Sequence, residues 1–197
     1  MKRGACALGF RVHSGWAAMV AVAGSPTEPQ LVDRRRIEIA DRIAAGPAQP
    51  YHRARGLELA KAEKYLAREL SASRELAIVA LRKAMEDVGD RRVVACGVLV
   101  GSGRLPETLE GILKSHPALH TAEGIFFREA IIGAAESCKL PVRRIREKEL
   151  FDTASVQFGM DAVELRERID GMGKVLGSPW GQDEKYAALA AWLASCI

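Results

Sequence analysis

Residues 6–23 form an almost uniformly apolar stretch without any acidic residue. A His-Ser-Gly tripeptide at positions 13–15 interrupts it once. Two apolar runs separated by a Ser-Gly pair are typical of a β-hairpin. The pattern therefore predicts one buried strand at 6–12, a tight turn, and a second strand at 16–23.

The rest of the chain alternates between strand and helix patterns. A third strand is predicted at 30–39, where arginines at 34–36 interrupt the apolar positions as an edge strand tolerates. The run at 92–100 is short, β-branched and apolar on both faces, which is typical of an interior parallel strand. A weaker, more charged strand follows at 141–146. Helices are predicted at 53–88, split near 71–73, and at 107–114, 122–138, 161–169 and 183–195, with a loop at 44–50.

This succession predicts an α/β fold built on a mixed five-stranded sheet. Three antiparallel strands followed by two strands reached through right-handed helical crossovers place the first strand in the centre and helices on both faces. A chain of 197 residues can bury one such core, so residues 1–197 are expected to form one domain.

The order of elements resembles the ribonuclease-H-like fold, which is shared by resolvases, transposases and the middle domain of translation release factors. The segment PWGQDEKYAALA at 179–190 is similar to the last helix of Holliday-junction resolvases, which begins with a metal-binding acid and continues in alanine-rich turns. The resemblance covers nearly the whole chain and assigns Asp183 to the position of that acid.

The resemblance implies a magnesium site that most of the sequence does not supply. Nucleases of this fold hold two Mg²⁺ ions between carboxylates, one of which comes from the first strand and another from near the end of the fourth. Residues 1–27 and 91–106 contain no Asp or Glu. Arg11, His13 or Ser14 stands where the first acid is expected, and Asp183 alone matches the pattern. Two-metal nuclease activity is therefore not expected.

Open sheets of this kind bind ligands at the edge where their parallel strands end. The topology is expected to gather two groups of candidates there. The catalytic candidates are His13, Ser14 and Asp183, and the ligand-binding candidates are Ser102, Arg104, His52 and Lys185. His13 and Ser14 act together as base and nucleophile only if the turn redirects one of them, because adjacent strand residues point to opposite faces.

A metal site is a further hypothesis for the same cleft. His116, His120 and Glu123 have spacings of four and three, which place three ligands on one helical face. Pro117 is expected to interrupt that helix, and Thr121 is then its cap, which leaves His116 solvated. With the resolvase-like acid included, the metal candidates are His120, Glu123 and Asp183, and a divalent metal is the cofactor that they imply.

Two short motifs remain open between a structural and a binding interpretation. The segment GSGR at 101–104 is either a simple turn or a phosphate cradle of backbone amides aided by Arg104, and it lacks the lysine and spacing of a Walker loop. The arginines at 34–36 are either edge protection or a basic patch.

Composition and charge narrow the setting. The four cysteines are widely spaced, which predicts buried reduced thiols. Arg11, His13 and Ser14 interrupt the first apolar run too early for a signal peptide, so a cytoplasmic protein is expected. No apolar window is long enough for a membrane helix. The formal net charge of +4 allows nucleic-acid binding without requiring it. The small-residue face of the last helix is compatible with a homodimer.

Two hypotheses from different classes follow. The first is a catalytically degenerate ribonuclease-H-like protein that binds nucleic acid or a protein partner through its cleft. The alternative is a metal-dependent hydrolase of a phosphorylated or nucleotide substrate, with His and Asp or Glu ligands in the same cleft.

Overall fold

The computed structural model describes residues 4–41 and 46–196, which form a five-stranded sheet with helices on both faces. The sheet order is β3-β2-β1-β4-β5. β1 pairs antiparallel with β2 and parallel with β4, and β5 extends the parallel half. The strands are β1 (Ala5–His13), β2 (Trp16–Gly24), β3 (Pro29–Glu38), β4 (Arg92–Val100) and β5 (Val142–Arg146). The predicted central position of the first strand is confirmed.

Seven α-helices of the described ranges cover the two faces. On one face lie α1 (Pro50–Ala54), α2 (Leu59–Asp87), α3 (Leu109–Lys114) and α4 (His116–Ser137), and on the other α5 (Leu150–Phe158), α6 (Ala162–Met172) and α7 (Gln182–Ala194). Alternation along β1 produces the two layers, because successive side chains of a strand point to opposite faces. Leu8 and Phe10 pack among side chains of α2 and α4, whereas Gly9 faces α7.

The last helix lies unusually close to the sheet. A Cβ added at Gly9 would stand 1.9 Å from the carbonyl oxygen of Ala187, and one added at Gly97 would stand 2.1 Å from that of Ala190. Glycines on β1 and β4 and alanines on α7 therefore let backbone meet backbone. The small-residue face predicted for this helix packs against the sheet.

The predicted helix at 53–88 is wrong in its boundaries. Its first part is the short helix α1, which begins at Pro50, and a break around Gly56 precedes the 29-residue helix α2. α2 runs through positions 71–73 without a split, because Ser73 is buried against the fold instead of ending the helix. Residues 46–50 of the predicted loop are described, and positions 44–45 lie outside the described residues.

The predicted start of the next helix is also wrong. α4 begins at His116, and the Ser115 hydroxyl accepts the hydrogen bond of the Ala118 N–H. Pro117 does not interrupt the helix, because backbone N–H groups in the first turn have no carbonyl partner within the helix and proline lacks only such a group. Thr121 lies inside the helix, where its hydroxyl donates to the carbonyl of Pro117. α5 was not predicted at all.

The expectation of buried cysteines needs correction, and α4 buries both of its phenylalanines. Phe126 and Phe127 are both buried, because α4 is covered by α1 and α2 as well as by the sheet. All four cysteines are free thiols, but Cys196 is exposed and Cys138 is half-buried. None of the described helices is both long and apolar enough to cross a bilayer.

Candidate functional site

The three parallel strands end at one edge of the sheet, which we name the carboxyl edge. Arg11 lies near the end of β1, Glu147 directly follows β5, and Asp183 lies in the first turn of α7. The Arg11 guanidinium donates to both acids, at 2.7 Å to Glu147 Oε1 and 2.6 Å to Asp183 Oδ1. We name this trio the Arg11 cluster. It places one fixed cation between two carboxylates from separate elements.

The cluster is partly shielded from solvent. The side chain of Arg11 is 17% exposed, and its guanidinium lies 5.1 Å from the ring centroid of Tyr186. Burial opposes the charged form, but the hydrogen bonds and charges of Glu147 and Asp183 outweigh it and raise the pKa of Arg11 above its usual range. Arg11 is therefore a permanent positive charge in this cluster.

A stack of planar side chains flanks the cluster. His13 Nε2 lies 2.8 Å from Asp183 Oδ1, and the His13 ring stacks on Trp16 with 4.2 Å between centroids. The Arg36 guanidinium lies 3.8 Å from the centroid of the Trp16 ring. The hairpin register explains the stack, because His13 pairs with Trp16 across β1 and β2, and Arg36 lies on the neighbouring strand β3.

A groove of about 390 Å³ opens beside the cluster and is lined by Ser102, Glu147 and Tyr186, among others. Arg128 of α4 lies beside Gly101, another residue that lines the groove: its Nη1 is 3.4 Å from a Cβ built at Gly101. Burial lowers the pKa of Arg128, against the raising effect of the Glu147 carboxylate, and its Nε has no hydrogen-bond partner among the described residues. A second guanidinium, besides that of Arg11, thus lies next to a residue that lines the groove.

A separate cluster lies on the opposite layer, where α1 meets α4. His52, His116 and His120 each offer a ring nitrogen, and these nitrogens lie within 4.8 Å of one another. Glu123, which is 2% exposed, accepts from the backbone N–H of His52 and lies 2.8 Å from its Nδ1. We name the three rings the three-histidine cluster.

The candidate residues therefore fall into two groups. His13 and Asp183 meet at the carboxyl edge, and Ser102 lines the groove there. His52, His120 and Glu123 belong to the α4 layer, on the other side of the sheet.

The other candidates lie apart from both groups. Ser14 is exposed in the hairpin turn and makes no side-chain hydrogen bond among the described residues, and Arg104 is exposed. Lys185 forms an ion pair with Asp170 of α6 at 2.8 Å.

The arginines at 34–36 divide by strand alternation. Arg34 donates to backbone carbonyls of the loop at 177–179, which precedes α7. Arg35 points to the other face and forms an ion pair with Asp87 of α2 at 2.9 Å. Arg36 alone reaches the stack at the carboxyl edge.

Sequence reasoning missed three residues of the site: Glu147, Tyr186 and Arg128. The signal for Glu147 was available, because an acid directly after a parallel strand lies at the same edge as the ends of the neighbouring parallel strands. Tyr186 lies one helical turn after Asp183, which was also readable. Nothing in the pattern of α4 distinguished Arg128 from a solvated arginine.

The residues present do not fit the two-magnesium centre that the resemblance implies. Such a centre needs carboxylate oxygens around each ion. Here the guanidinium of Arg11 lies between the two carboxylates and uses one oxygen of each. The chain's own cation thus lies where those carboxylates converge.

Strand order, strand directions and two helical layers give this chain a ribonuclease-H-like α/β fold. Two solved structures support that class. The chain is similar to Thermus thermophilus RuvC in complex with a Holliday junction substrate, with a TM-score of 0.53 and 9% identity over 96% of this chain and 91% of that one. It is similar to a further Thermus thermophilus RuvC structure with a TM-score of 0.54 and 9% identity, over 95% and 92% of the chains.

Similarity at this level of identity shows the fold alone. No protein-family model matches the sequence, and no curated protein shows significant similarity to it. The predicted ribonuclease-H-like fold is confirmed.

Proposed function

We propose that this protein is a ribonuclease-H-like module without two-metal nuclease chemistry and that it binds nucleic acid at the carboxyl edge. The placement of Arg11 between Glu147 and Asp183 carries the proposal. A bound guanidinium offsets the charge of two carboxylates that would otherwise repel phosphates. It does not activate water as a metal ion does.

The surroundings of the cluster supply further positive charge. Arg36, Arg146 and Lys148 have side chains that are 48%, 61% and 62% exposed, and Arg36 forms an exposed ion pair with Glu38 at 2.7 Å. Arg146 and Lys148 share Glu149 as an ion-pair partner, at 3.3 and 3.9 Å. Exposed pairs of this kind contribute little and exchange readily. These cations are therefore free to contact phosphates, in keeping with the sequence pI of about 9.0.

The stack beside the cluster offers a planar surface to a base. Arg36 covers the Trp16 ring and is half exposed, so its outer face is open to solvent. Bases of single strands stack on aromatic rings and on guanidinium planes, which favours unpaired over duplex nucleic acid. We therefore expect single-stranded segments, including those at branch points, to bind better than a plain duplex.

The test is fluorescence anisotropy with labelled single-stranded DNA and RNA, a duplex and a four-way junction, each at several salt concentrations with Mg²⁺ present. The expected result is binding that weakens as salt rises, without cleavage of the probe. Arg36→Ala should lower affinity for every probe and reduce the salt slope by about 1 if the residue contacts one phosphate. Arg82→Ala is the matched control, because Arg82 is an exposed arginine of α2 on the other layer.

Two results would contradict the proposal. One is the absence of salt-dependent binding to any probe, which would turn the search to a protein partner. The other is an equal loss of affinity in the Arg36→Ala and Arg82→Ala variants, because binding would then depend on the net charge of the protein and not on the carboxyl edge.

A metal-dependent hydrolase of a phosphorylated or nucleotide substrate, working from this same cleft, is the weaker proposal. The ligand-type residues that meet here, His13, Glu147 and Asp183, are already bonded to one another or to Arg11. Probe cleavage that a chelator abolishes would favour the hydrolase and overturn the module without nuclease chemistry.

A further inference from the structure

The three-histidine cluster has the composition of a transition-metal site. His52 comes from α1, whereas His116 and His120 occupy one face of the first two turns of α4. Two histidines four residues apart on a helix present their rings side by side, which is a common way to hold zinc. Across residues 4–41 and 46–196, no other set of three His, Cys, Asp or Glu side chains comes together as closely.

The spacing of the nitrogens agrees with a tetrahedral ion. Zn–N bonds of about 2.0–2.1 Å at tetrahedral angles place two ligand nitrogens about 3.3 Å apart. The Nε2 atoms of His116 and His120 lie 3.2 Å apart. Their rings meet nearly at right angles, with 4.7 Å between centroids. The ring nitrogen of His52 lies within 4.8 Å of the other two, so it must approach them by at most about 1.5 Å to complete a tetrahedral set.

A buried carboxylate orients the third ligand. Glu123 Oε1 lies 2.8 Å from His52 Nδ1 and also accepts the backbone N–H of His52 at 3.2 Å. A carboxylate that binds one ring nitrogen fixes the tautomer and presents the other nitrogen, here Nε2, to a metal. Burying a carboxylate costs free energy that a nearby bound cation offsets.

We propose that His52, His116 and His120 bind one Zn²⁺ ion through Nε2. Glu123 positions the His52 ring through its hydrogen bond with Nδ1. Imidazole nitrogen suits zinc better than magnesium or calcium, which take oxygen ligands. The exposure of His116 and His120 leaves the fourth position open to water or to an anionic ligand. The ion would also connect α1 to α4. This site shares no residue with the proposed nucleic-acid surface at the carboxyl edge.

The test is isothermal titration of Zn²⁺ into the full chain, tag-free and freed of metal by a chelator. One ion per chain is expected. His116→Ala and His120→Ala should each weaken binding by more than about 100-fold, and Glu123→Gln by about 10- to 100-fold. His13→Ala removes the one histidine outside the cluster and should bind zinc as the unmodified protein does. Co²⁺ should give the intense visible absorption of a tetrahedral nitrogen site, and His120→Ala should abolish it.

The proposal is overturned if zinc binds without a fixed stoichiometry, if His120→Ala binds as tightly as the unmodified protein, or if His13→Ala loses the ion. Because His116 and His120 are exposed, their replacement does not threaten the fold. A parallel anisotropy measurement on His120→Ala should show unchanged nucleic-acid binding. The zinc site and the nucleic-acid surface can therefore fail separately.

Discussion

Gly9 on the central strand determines how closely α7 lies on the sheet, and Gly9→Ala is the most direct test of that packing. The added Cβ would stand 1.9 Å from the Ala187 carbonyl oxygen and 2.5 Å from the Ala191 nitrogen. These are backbone atoms of a helix, so no side-chain rotation relieves the clash. Restoring an ordinary contact of 3.4 Å requires α7 to move by about 1.5 Å, the difference between 3.4 and 1.9 Å.

That movement acts on a well-packed layer. Every residue of α7 from position 187 to 194 is buried, and gaps of 0.5–1 Å already forfeit about a quarter to a half of each dispersion contact. Overpacking typically costs about 1–3 kcal/mol, and a backbone clash belongs at or above the upper end. We therefore expect Gly9→Ala to lower the free energy of unfolding by about 3 kcal/mol. The shift would also draw Asp183, in the first turn of α7, away from Arg11.

Urea unfolding followed by far-UV circular dichroism measures the effect. Gly171→Ala is the matched control, because Gly171 lies in α6 with nothing within 4 Å of its added Cβ. That variant should gain about 0.5 kcal/mol, since alanine is the better helix former. A loss below about 1 kcal/mol in Gly9→Ala, with an unchanged slope against urea, would refute the close packing of α7 on β1.

Three more predictions concern the Arg11 cluster, the core and the start of α4. Arg11→Asp should destabilise the protein by about 3 kcal/mol, because a third carboxylate replaces a partly buried cation. Mn²⁺ at about 100 times its dissociation constant should restore about 2.7 kcal/mol in that variant alone, and an equal rise in melting temperature for the unmodified protein would contradict it. Burial raises the pKa of the Cys96 thiol to about 12 from an unfolded value of 9.0. The folded state therefore holds a proton that the unfolded state releases above pH 9. This part of the stability should be present below pH 9 and fall by up to about 1.4 kcal/mol per pH unit until pH 12. Urea titrations of the unmodified protein and of Cys96→Ala at several pH values check this, and a constant difference between the two would refute it. Ser115→Ala should cost about 1 kcal/mol in thermal unfolding as the loss of an N-cap, and Thr121→Ala less, whereas the reverse order would move the cap to Thr121.

Much of this fold follows from local patterns in the sequence. Period-two alternation and apolar runs predict the hairpin, the buried parallel strand and the order of elements. Tertiary contacts do not override these local patterns. The errors occur where context overrides the pattern. Pro117 suggests a helix break in the sequence, but α4 begins one residue earlier, at His116, and a proline is tolerated in the first turn of a helix. In α5, Val156 is 88% exposed and Leu150 is fully buried, so apolar character does not mark its inner face.

The site was less predictable than the fold, for a physical reason. Asp183 stands out because the resemblance assigns a role to its position. Arg11 was only one of three residues, with His13 and Ser14, at which the resemblance expects another acid. Glu147 lies in the charged segment RRIREKE, in which its neighbour Glu149 is equally acidic. Glu147 reaches Arg11 because it directly follows the end of β5, which pairs with β4, and this position cannot be recognised from the charged segment alone. His52 likewise joins His116 and His120 only through the packing of α1 on α4, across 64 positions of chain from residue 52 to residue 116.

Arg11 offers a physical reason why two carboxylates can meet at the carboxyl edge without a metal ion. A guanidinium offsets one of their two negative charges and holds both groups in place through a rigid fork of donors. Its charge is permanent, so the cluster needs no ion to form. However, it has no vacant coordination site and cannot lower the pKa of a water molecule. Arg11 therefore holds the two carboxylates in a fixed arrangement without supplying a metal's hydrolytic chemistry, which is why we propose that this edge binds phosphates rather than cleaving them.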